Sequence, residues 1–334
     1  TTEIYTLSLH DALPISLLDD RAGSVGQARG IMQAIADDFA ISEKKIVYNK
    51  LAALPNCLLG ATFALLNKQQ SDDLSAPYPD VVLSISRRTT PIARKIKKLS
   101  HGKTKIIQLI YPGKCGLRDL DLVIVPEHDR KSSAPQNVYY ITGCPHRITE
   151  QNMAQARAEW TPVFASLPQP LTTIAVGGAI KGKPFSLENA RQLGREIRHM
   201  WEKTGGSLLL TTSRRTGEAA QQAIMAELKG IPAYTYLWGE KKDNPIMGFW
   251  ACADKIIVTG DSVSMCCEAC GSGKPVLIFC GQKWLTPKHL RFVRSLYDGG
   301  YATALESPEA LTFKPQQRLN PIDGIVAKIN QLNL

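Results

Sequence analysis

Short apolar runs recur through this chain, each followed by a segment of helical periodicity, and that alternation constrains the fold more than any other feature. In the first half the runs are Lys45–Tyr48, Val81–Ser84, Lys105–Ile110, Leu122–Val125 and Val138–Ile141. In the second half they are Thr172–Val176, Ser207–Thr212, Ala233–Leu237, Lys255–Thr259 and Val276–Phe279. Continuous rather than alternating apolarity means burial on both faces, as in a parallel sheet covered by helices. The expected class is therefore α/β: two Rossmann-like, doubly wound domains facing a cleft, with ligands at the carboxyl ends of their strands.

With 334 residues, the chain has room for two domains. Pro162, Pro168 and Pro170 lie in "EWTPVFASLPQPLTT", a bridge between the two strand series. Expected boundaries are 17–165 and 170–315, with a closing helix, Ile322–Leu332, within 320–334. The first sixteen residues, "TTEIYTLSLHDALPIS", match nothing after them and lack an initiator Met and a signal-type n-region. They read as a non-native leader of the adapter or vector kind, with the first strand surviving as Ile15–Leu18.

The formal charge of +10 favours an anionic partner: a nucleotide, a nucleic acid or an anionic membrane face. Nucleic acid is disfavoured because the basic residues lack interleaved aromatics. The eight cysteines form no secreted-domain framework and read as reduced, mostly buried and cytosolic. The nearest approach to a membrane span, "LAALPNCLLGATFALL" at 51–66, is broken by Pro55 and Asn56 and reads as a buried or membrane-touching segment.

Three strand ends in the second half suit an anion. "TIAVGGAIKGKPFS" places Gly177 and Gly178 after a strand, with Lys181 nearby; paired glycines allow close backbone approach to a ligand. "TTSRRTGEAA" places Ser213, Arg214, Arg215 and Thr216 before a helix, and guanidinium forks match phosphate oxygens. "VTGDSVSMCCEAC" places Asp261, Ser262 and Ser264 at a helix start, where Ser262 or Ser264 can cap and free amides attract phosphate. Glu268, one turn beyond Ser264, is a candidate acceptor for ribose hydroxyls. Each alone is also an ordinary turn or cap; together they suggest a diphosphate-bearing ligand. The "GSGK" ending this stretch follows its helix instead of preceding it, so it reads as helix termination, not a Walker loop.

The first half offers "LLDDRAGSVGQARG", with Asp19, Arg21, Gly23 and Gln27 between a strand and a helix, and "SISRRTT", with Arg87 and Arg88. The former is not G-x-G-x-x-G, so NAD binding is weakly supported. "VIVPEHD" and "TGCPHR" put Glu127, His128, Asp129, His146 and Arg147 after strands, as candidate general bases or simply as capping and turn residues. "DLD" at 119–121 precedes its strand and reads as chance rather than a metal–nucleotide site. Cys267-x-x-Cys270 lacks a second pair at zinc spacing and reads as helix packing, so no metal is expected. Arg87 to Lys105 holds eight Lys or Arg and no acid, with Ile92, Ile96 and Leu99 at helical spacing. It is either a solvated helix face or a basic surface lying on anionic lipid.

In order along 18–300, the motifs "DDRAGSVGQ", "SISRRT", "VIVPEHD", "TGCPHRI", the paired glycines, "TTSRRT", "NPIMGFWACADKIIVTGDSVSM" and "EACGSGKPV" resemble one family. This is the bacterial group related to the plant elongated-mitochondria fission protein, described as glycosyltransferases. The resemblance implies the GT-B architecture, with a nucleotide-sugar donor in the C-terminal domain, an acceptor in the N-terminal one, and no separate cofactor. It implies that Gly177, Gly178, Ser213, Arg214, Ser262 and Ser264 hold the donor diphosphate and Glu268 the ribose. Asp19, Arg21, Gly23 and Gln27 would line the acceptor side, where Arg87 is a further candidate. Asp129, then His128, is the candidate base.

The reading that follows is an inverting, metal-independent glycosyltransferase. Its partners would be a nucleotide-diphosphate sugar and a lipid-linked or envelope glycan acceptor, and it would sit peripherally on the anionic inner face of a membrane. Two others compete: a sugar-nucleotide epimerase on the same architecture, and a membrane-surface adaptor in division without catalysis.

Overall fold

A computed structural model describes residues 14–19, 22–36, 41–133 and 135–332. Arg21 and residues 1–13 of the expected leader lie outside the described residues. The chain divides into two compact units. One runs to Ile141 and resumes at Pro321; the other is Thr142–Asn320. The Pro-rich bridge expected between domains lies inside the second unit, with Pro162 within a helix.

The first unit holds strands β1 (Ile15–Leu18), β2 (Ser42–Lys45), β3 (Val81–Ser84), β4 (Lys105–Leu109), β5 (Leu122–Pro126) and β6 (Val138–Ile141). They form one parallel sheet in the order β2-β1-β3-β4-β5-β6. Its helices are α1 (Ala22–Ala34), α2 (Asn56–Leu59) and α3 (Thr90–Leu99). β1, with the full apolar burial of an inner strand, starts at Ile15, so the expected leader overlaps it by two residues. β2 lies three residues earlier than expected, at Ser-Glu-Lys-Lys. It is an edge strand paired only to β1, so charged residues suit it, whereas Ile46 just beyond turns into the core.

The second unit opens with α4 (Glu150–Phe164), capped by Thr149, whose side chain accepts from Asn152 N. Its strands are β7 (Leu171–Val176), β8 (Ser207–Thr212), β9 (Ala233–Tyr236), β10 (Lys255–Thr259), β11 (Val276–Phe279) and β12 (Thr303–Ala304). All are parallel, in the order β12-β11-β10-β7-β8-β9. The helices are α5 (Leu187–Thr204), α6 (Glu218–Glu227), α7 (Ile246–Cys252), α8 (Val263–Gly271) and α9 (Pro287–Asp298). α5 shows why these segments are helical: Ser186 caps it, Ala190, Leu193, Ile197 and Met200 recur on one buried face, and Gly205 at positive φ ends it. β7 and β8 are buried along their whole length, as strands covered on both faces must be.

The chain returns to the first unit with α10 (Ile322–Asn330), whose Ile325 and Ile329 pack in one core with Ala28 and Ile31 of α1. Among the described residues, no helix is long and apolar enough to cross a membrane. In each sheet the chain reverses direction of growth beside its first strand: between β1 and β3, and between β7 and β10. Such crossover points leave a crevice at the strand ends where ligands bind.

Candidate functional site

The three anion-friendly loops of the second unit leave β7, β8 and β10, which are adjacent strands. Gly177 N donates to Thr259 Oγ1 at 2.7 Å, and Gly178 N donates to Asp261 Oδ2 at 2.9 Å. Ala179 N donates to Arg215 O at 2.7 Å. In return, Ser213 Oγ donates to Gly177 O at 2.7 Å, and Thr216 Oγ1 donates to the same carbonyl. Arg215 Nη1 lies 2.6 Å from Asp261 Oδ2 and donates to Ala179 O at 2.9 Å. Trp284 Nε1 closes the block by donating to Gly178 O at 3.2 Å.

This network gives the paired glycines a reason other than the expected one. A Cβ on Gly177 would stand 2.2 Å from Asp261 Oδ1, and one on Gly178 would stand 2.1 Å from the carbonyl carbon of Arg215. Gly178 also holds φ at 153°, which L side chains rarely adopt. The close approach is to neighbouring loops, and the amides of residues 177–179 are engaged within the protein. They bind no anion in this arrangement; they shape the platform on which other groups stand.

Those other groups are Arg214 and Lys181, both exposed, whose side chains make no hydrogen bond or ion pair among the described residues. The start of α8 joins them. Ser262 occupies its N-cap position without a side-chain capping bond. The first i→i−4 bond runs from Cys266 N to Ser262 O at 3.0 Å, so the amides of Val263, Ser264 and Met265 precede the helical ladder. A helix N-terminus with a guanidinium and an ammonium on neighbouring strand ends suits a phosphate pair. α8 ends as expected, at Gly271, with Gly273 at φ 73°.

Glu268 accepts a bond from Trp250 Nε1 at 3.2 Å. Burial pushes its carboxyl above the usual range, against the Trp250 bond and the charge of Arg147. Burial likewise raises Asp261, opposed by Arg215, Thr259 and the Gly178 amide. His289, on α9, is held below the ordinary imidazole value by burial, opposed by the Asp261 carboxylate. Its Nδ1 lies 2.6 Å from Thr286 Oγ1. Trp250, Trp284 and His289 were not legible as site residues: they lie within or after unrelated strand–helix units and reach the loops only through the fold.

In the first unit, Asp19 ends β1 at the crossover, with its side chain fully buried and 3.3 Å from Arg88 Nη2. Arg88 also stacks over the ring of Tyr48. Gly23 and Gln27 lie on α1, exposed and half-buried respectively. Arg87 donates to Leu54 O at 2.7 Å and Ala52 O at 3.0 Å, so its guanidinium fastens the 51–56 segment. His128 and Asp129 form a tight turn directly after β5, two strands away from β3, with His128 buried. Beside them Glu127 pairs with Arg130.

His146, grouped with strand-end bases in the sequence, sits instead in the core of the second unit. Its Nε2 meets Leu319 O at 2.9 Å and its Nδ1 accepts from Ile148 N at 3.3 Å, and burial lowers it. The two aspartates of "DLD" serve as a clamp. Asp119 pairs with Arg94 at 2.7 Å, and Asp121 pairs with Lys97 at 2.6 Å and Lys105 at 3.7 Å. Cys266, Cys267 and Cys270 are buried on α8, while Cys57 and Cys115 are exposed. Among the described residues, no group of His, Cys, Asp or Glu is arranged to hold a metal ion.

The backbone is similar to that of MurG from Acinetobacter baumannii, with a TM-score of 0.51 and 13% identity over 96% of this chain and 100% of that one. It is also similar to UDP-GlcNAc 2-epimerase from Methanocaldococcus jannaschii, with a TM-score of 0.57 and 14% identity over 96% and 99%. Two parallel six-stranded sheets of this order, each with a crossover beside its first strand, define a GT-B-fold protein. Residues 22–332 match the mitochondrial fission ELM1 family, and the chain belongs to that family. It is 30% identical to mitochondrial fission protein ELM1 of Arabidopsis thaliana over 245 residues, 66% of this chain but only 56% of the plant protein. It is 25% identical to an uncharacterized Rickettsia prowazekii protein, over 95% of this chain and 98% of that one.

Proposed function

We propose that this chain is an inverting, metal-independent glycosyltransferase, moving a sugar from a nucleotide-diphosphate sugar to a lipid-linked or envelope glycan acceptor at the cytoplasmic face of a membrane. The observation that carries this reading is the Asp261–Arg215 contact, which locks three adjacent loops into one platform at the crossover of the second sheet. Arg214, Lys181 and the first-turn amides of α8 then face the diphosphate, and Glu268 takes the ribose hydroxyls.

In the reaction an acceptor hydroxyl oxygen attacks the anomeric carbon from the face opposite the leaving group. The bond from that carbon to the diphosphate oxygen breaks, and the hydroxyl proton passes to Asp129 or, failing that, His128. Charge gathers on the departing diphosphate, where Arg214, Lys181 and the helix-end dipole stabilise it in the role a divalent cation fills elsewhere. Asp19, Gly23, Gln27 and Arg87 shape the acceptor side.

The test is a thermal-shift series with uridine, guanosine, cytidine and thymidine diphosphates. One of them stabilises the wild type, and the shift disappears in Arg214→Ala. No stabilisation of a folded sample by any of the four overturns the donor site. The fold likeness to an epimerase favours a second reading, in which the same donor is bound and no acceptor is consumed. Product analysis with a labelled nucleotide sugar separates the two. Family membership supports a third, a non-catalytic fission adaptor, in which Arg214→Ala and Glu268→Ala leave the cellular role intact.

A further inference from the structure

We propose that the ridge carrying Leu51, Leu54 and Leu58 is the surface by which the first unit docks on an anionic lipid bilayer. It deepens the membrane part of the function proposed above, from observations independent of the donor site. These leucines are 43%, 39% and 72% exposed. Ala53, Pro55 and Cys57 between them are exposed too. Three exposed leucines within eight residues of chain are a candidate interaction surface.

The ridge is held rigidly. Asn49 accepts from Leu51 N at 2.9 Å and starts a tight 3-10 turn over Lys50–Ala53. Three residues per turn put Leu51 and Leu54 on one side. Beneath them Arg87 binds the carbonyls of Ala52 and Leu54. Buried Asn56 donates to Arg87 O at 3.1 Å and to Pro112 O at 3.2 Å. The backbone polar groups are thus satisfied from below, and the leucines are left outward.

Charge decides the occupant. Residues 44–71, which carry the ridge, contain four lysines and no acid. The Pro112 bond brings the loop with exposed Lys114 against the ridge, and Lys131 lies 5.4 Å from the ring of Tyr111 in the same loop. Lys50, Lys68 and Lys114 make no ion pair among the described residues. Leucines set among one-signed cations fit acyl chains beneath phosphate headgroups. The basic helix singled out in the sequence is a different surface. Ile92, Ala93 and Ile96 of α3 are buried in the core, and Arg94 and Lys97 are held by Asp119 and Asp121.

The experiment is flotation of the full chain with vesicles of phosphatidylcholine alone or mixed with phosphatidylglycerol. The wild type floats with the mixed vesicles. The double variant Leu54→Ser, Leu58→Ser loses roughly tenfold or more in partition, and Lys50→Glu with Lys114→Glu loses at least about fivefold per site. Both variants alter exposed side chains and keep the wild-type unfolding midpoint and nucleotide response, whereas Arg214→Ala floats normally. Equal flotation of wild type and the serine variant overturns the proposal. So does failure of the wild type to float with anionic vesicles, which would leave the ridge as a protein contact. Loss of flotation with nucleotide binding intact strikes the docking surface alone; loss of nucleotide binding with flotation intact strikes the transferase reading alone.

Discussion

Asp261 and Arg215 are 46 residues apart in the chain, yet Oδ2 of one lies 2.6 Å from Nη1 of the other, with the Asp261 side chain fully buried and that of Arg215 36% exposed. The same oxygen accepts the Gly178 amide. One carboxylate therefore joins the loops after β7, β8 and β10.

Removing that carboxylate uncouples all three. Asp261→Ala is expected to lower the unfolding free energy by about 2 kcal/mol, below the usual range for a broken buried pair because water screens part of Arg215. Asp261→Asn keeps an acceptor for Gly178 and costs about half as much. Urea denaturation measures both, and an unchanged midpoint in the alanine variant refutes the lock.

The glycines test the platform from the other side. Gly178→Ala places a methyl group against the Arg215 carbonyl and is expected to cost roughly 1–3 kcal/mol. Its thermal midpoint falls and its nucleotide response weakens, because Arg214 moves with the displaced loop. A fully stable Gly178→Ala protein would mean that the loop after β8 gives way to the added methyl group without cost.

Glu268 is the proposed ribose acceptor, so its loss has a chemical signature. Glu268→Ala is expected to weaken nucleoside diphosphate binding about ten- to a hundredfold, the scale of hydrogen bonds to a charged group. It also abolishes discrimination between ribose and 2′-deoxyribose forms. Calorimetric titration with both forms reads this directly; preserved discrimination in the variant assigns the ribose to other residues.

Acid stability reports on His146. Its folded value lies below the ordinary 6.5, because burial disfavours the cation. On acidification the unfolded chain takes up this proton first, so it binds more protons than the native state in that window. Stability is full above about 6.5 and falls as pH drops from there toward the lower native value. His289 is shifted in the same direction. Urea midpoints between pH 8 and 5 therefore decline, and His146→Gln removes part of that slope. An identical slope in the variant would exclude His146 as a contributor.

Asp121 accepts from Ile106 N at 2.7 Å as well as from Lys97. Asp121→Ala is expected to destabilise the first unit by about 1–3 kcal/mol, since it leaves a backbone donor without its acceptor. Unfolding followed by circular dichroism tests it; a neutral effect would remove the structural reading of this Asp pair.

The amino-acid sequence by itself determined the two parallel sheets, because strands buried on both faces are continuous apolar runs flanked by helical periodicity. β3, β6, β8, β10 and β11 begin and end where those runs do. It also located the three loops at strand ends, since Gly-Gly, Ser-Arg-Arg and Asp-Ser each stand next to such a run; that the three strands are neighbours came from the sheet order. β2 was expected three residues late, on the apolar run Lys45–Tyr48, because an edge strand needs no apolar stretch, and β12 escaped notice because it has only two residues. Only the tertiary structure decided what the loop residues do: that the glycine amides turn inward, that Arg215 is engaged while Arg214 is exposed, that Trp250 orients Glu268, and that Asp119 and Asp121 hold a basic helix. Each of these is a contact between residues far apart in the chain. Short-range pattern reflects burial and backbone preference, whereas which donor meets which acceptor depends on strand order, and strand order is fixed by the packing of the whole sheet.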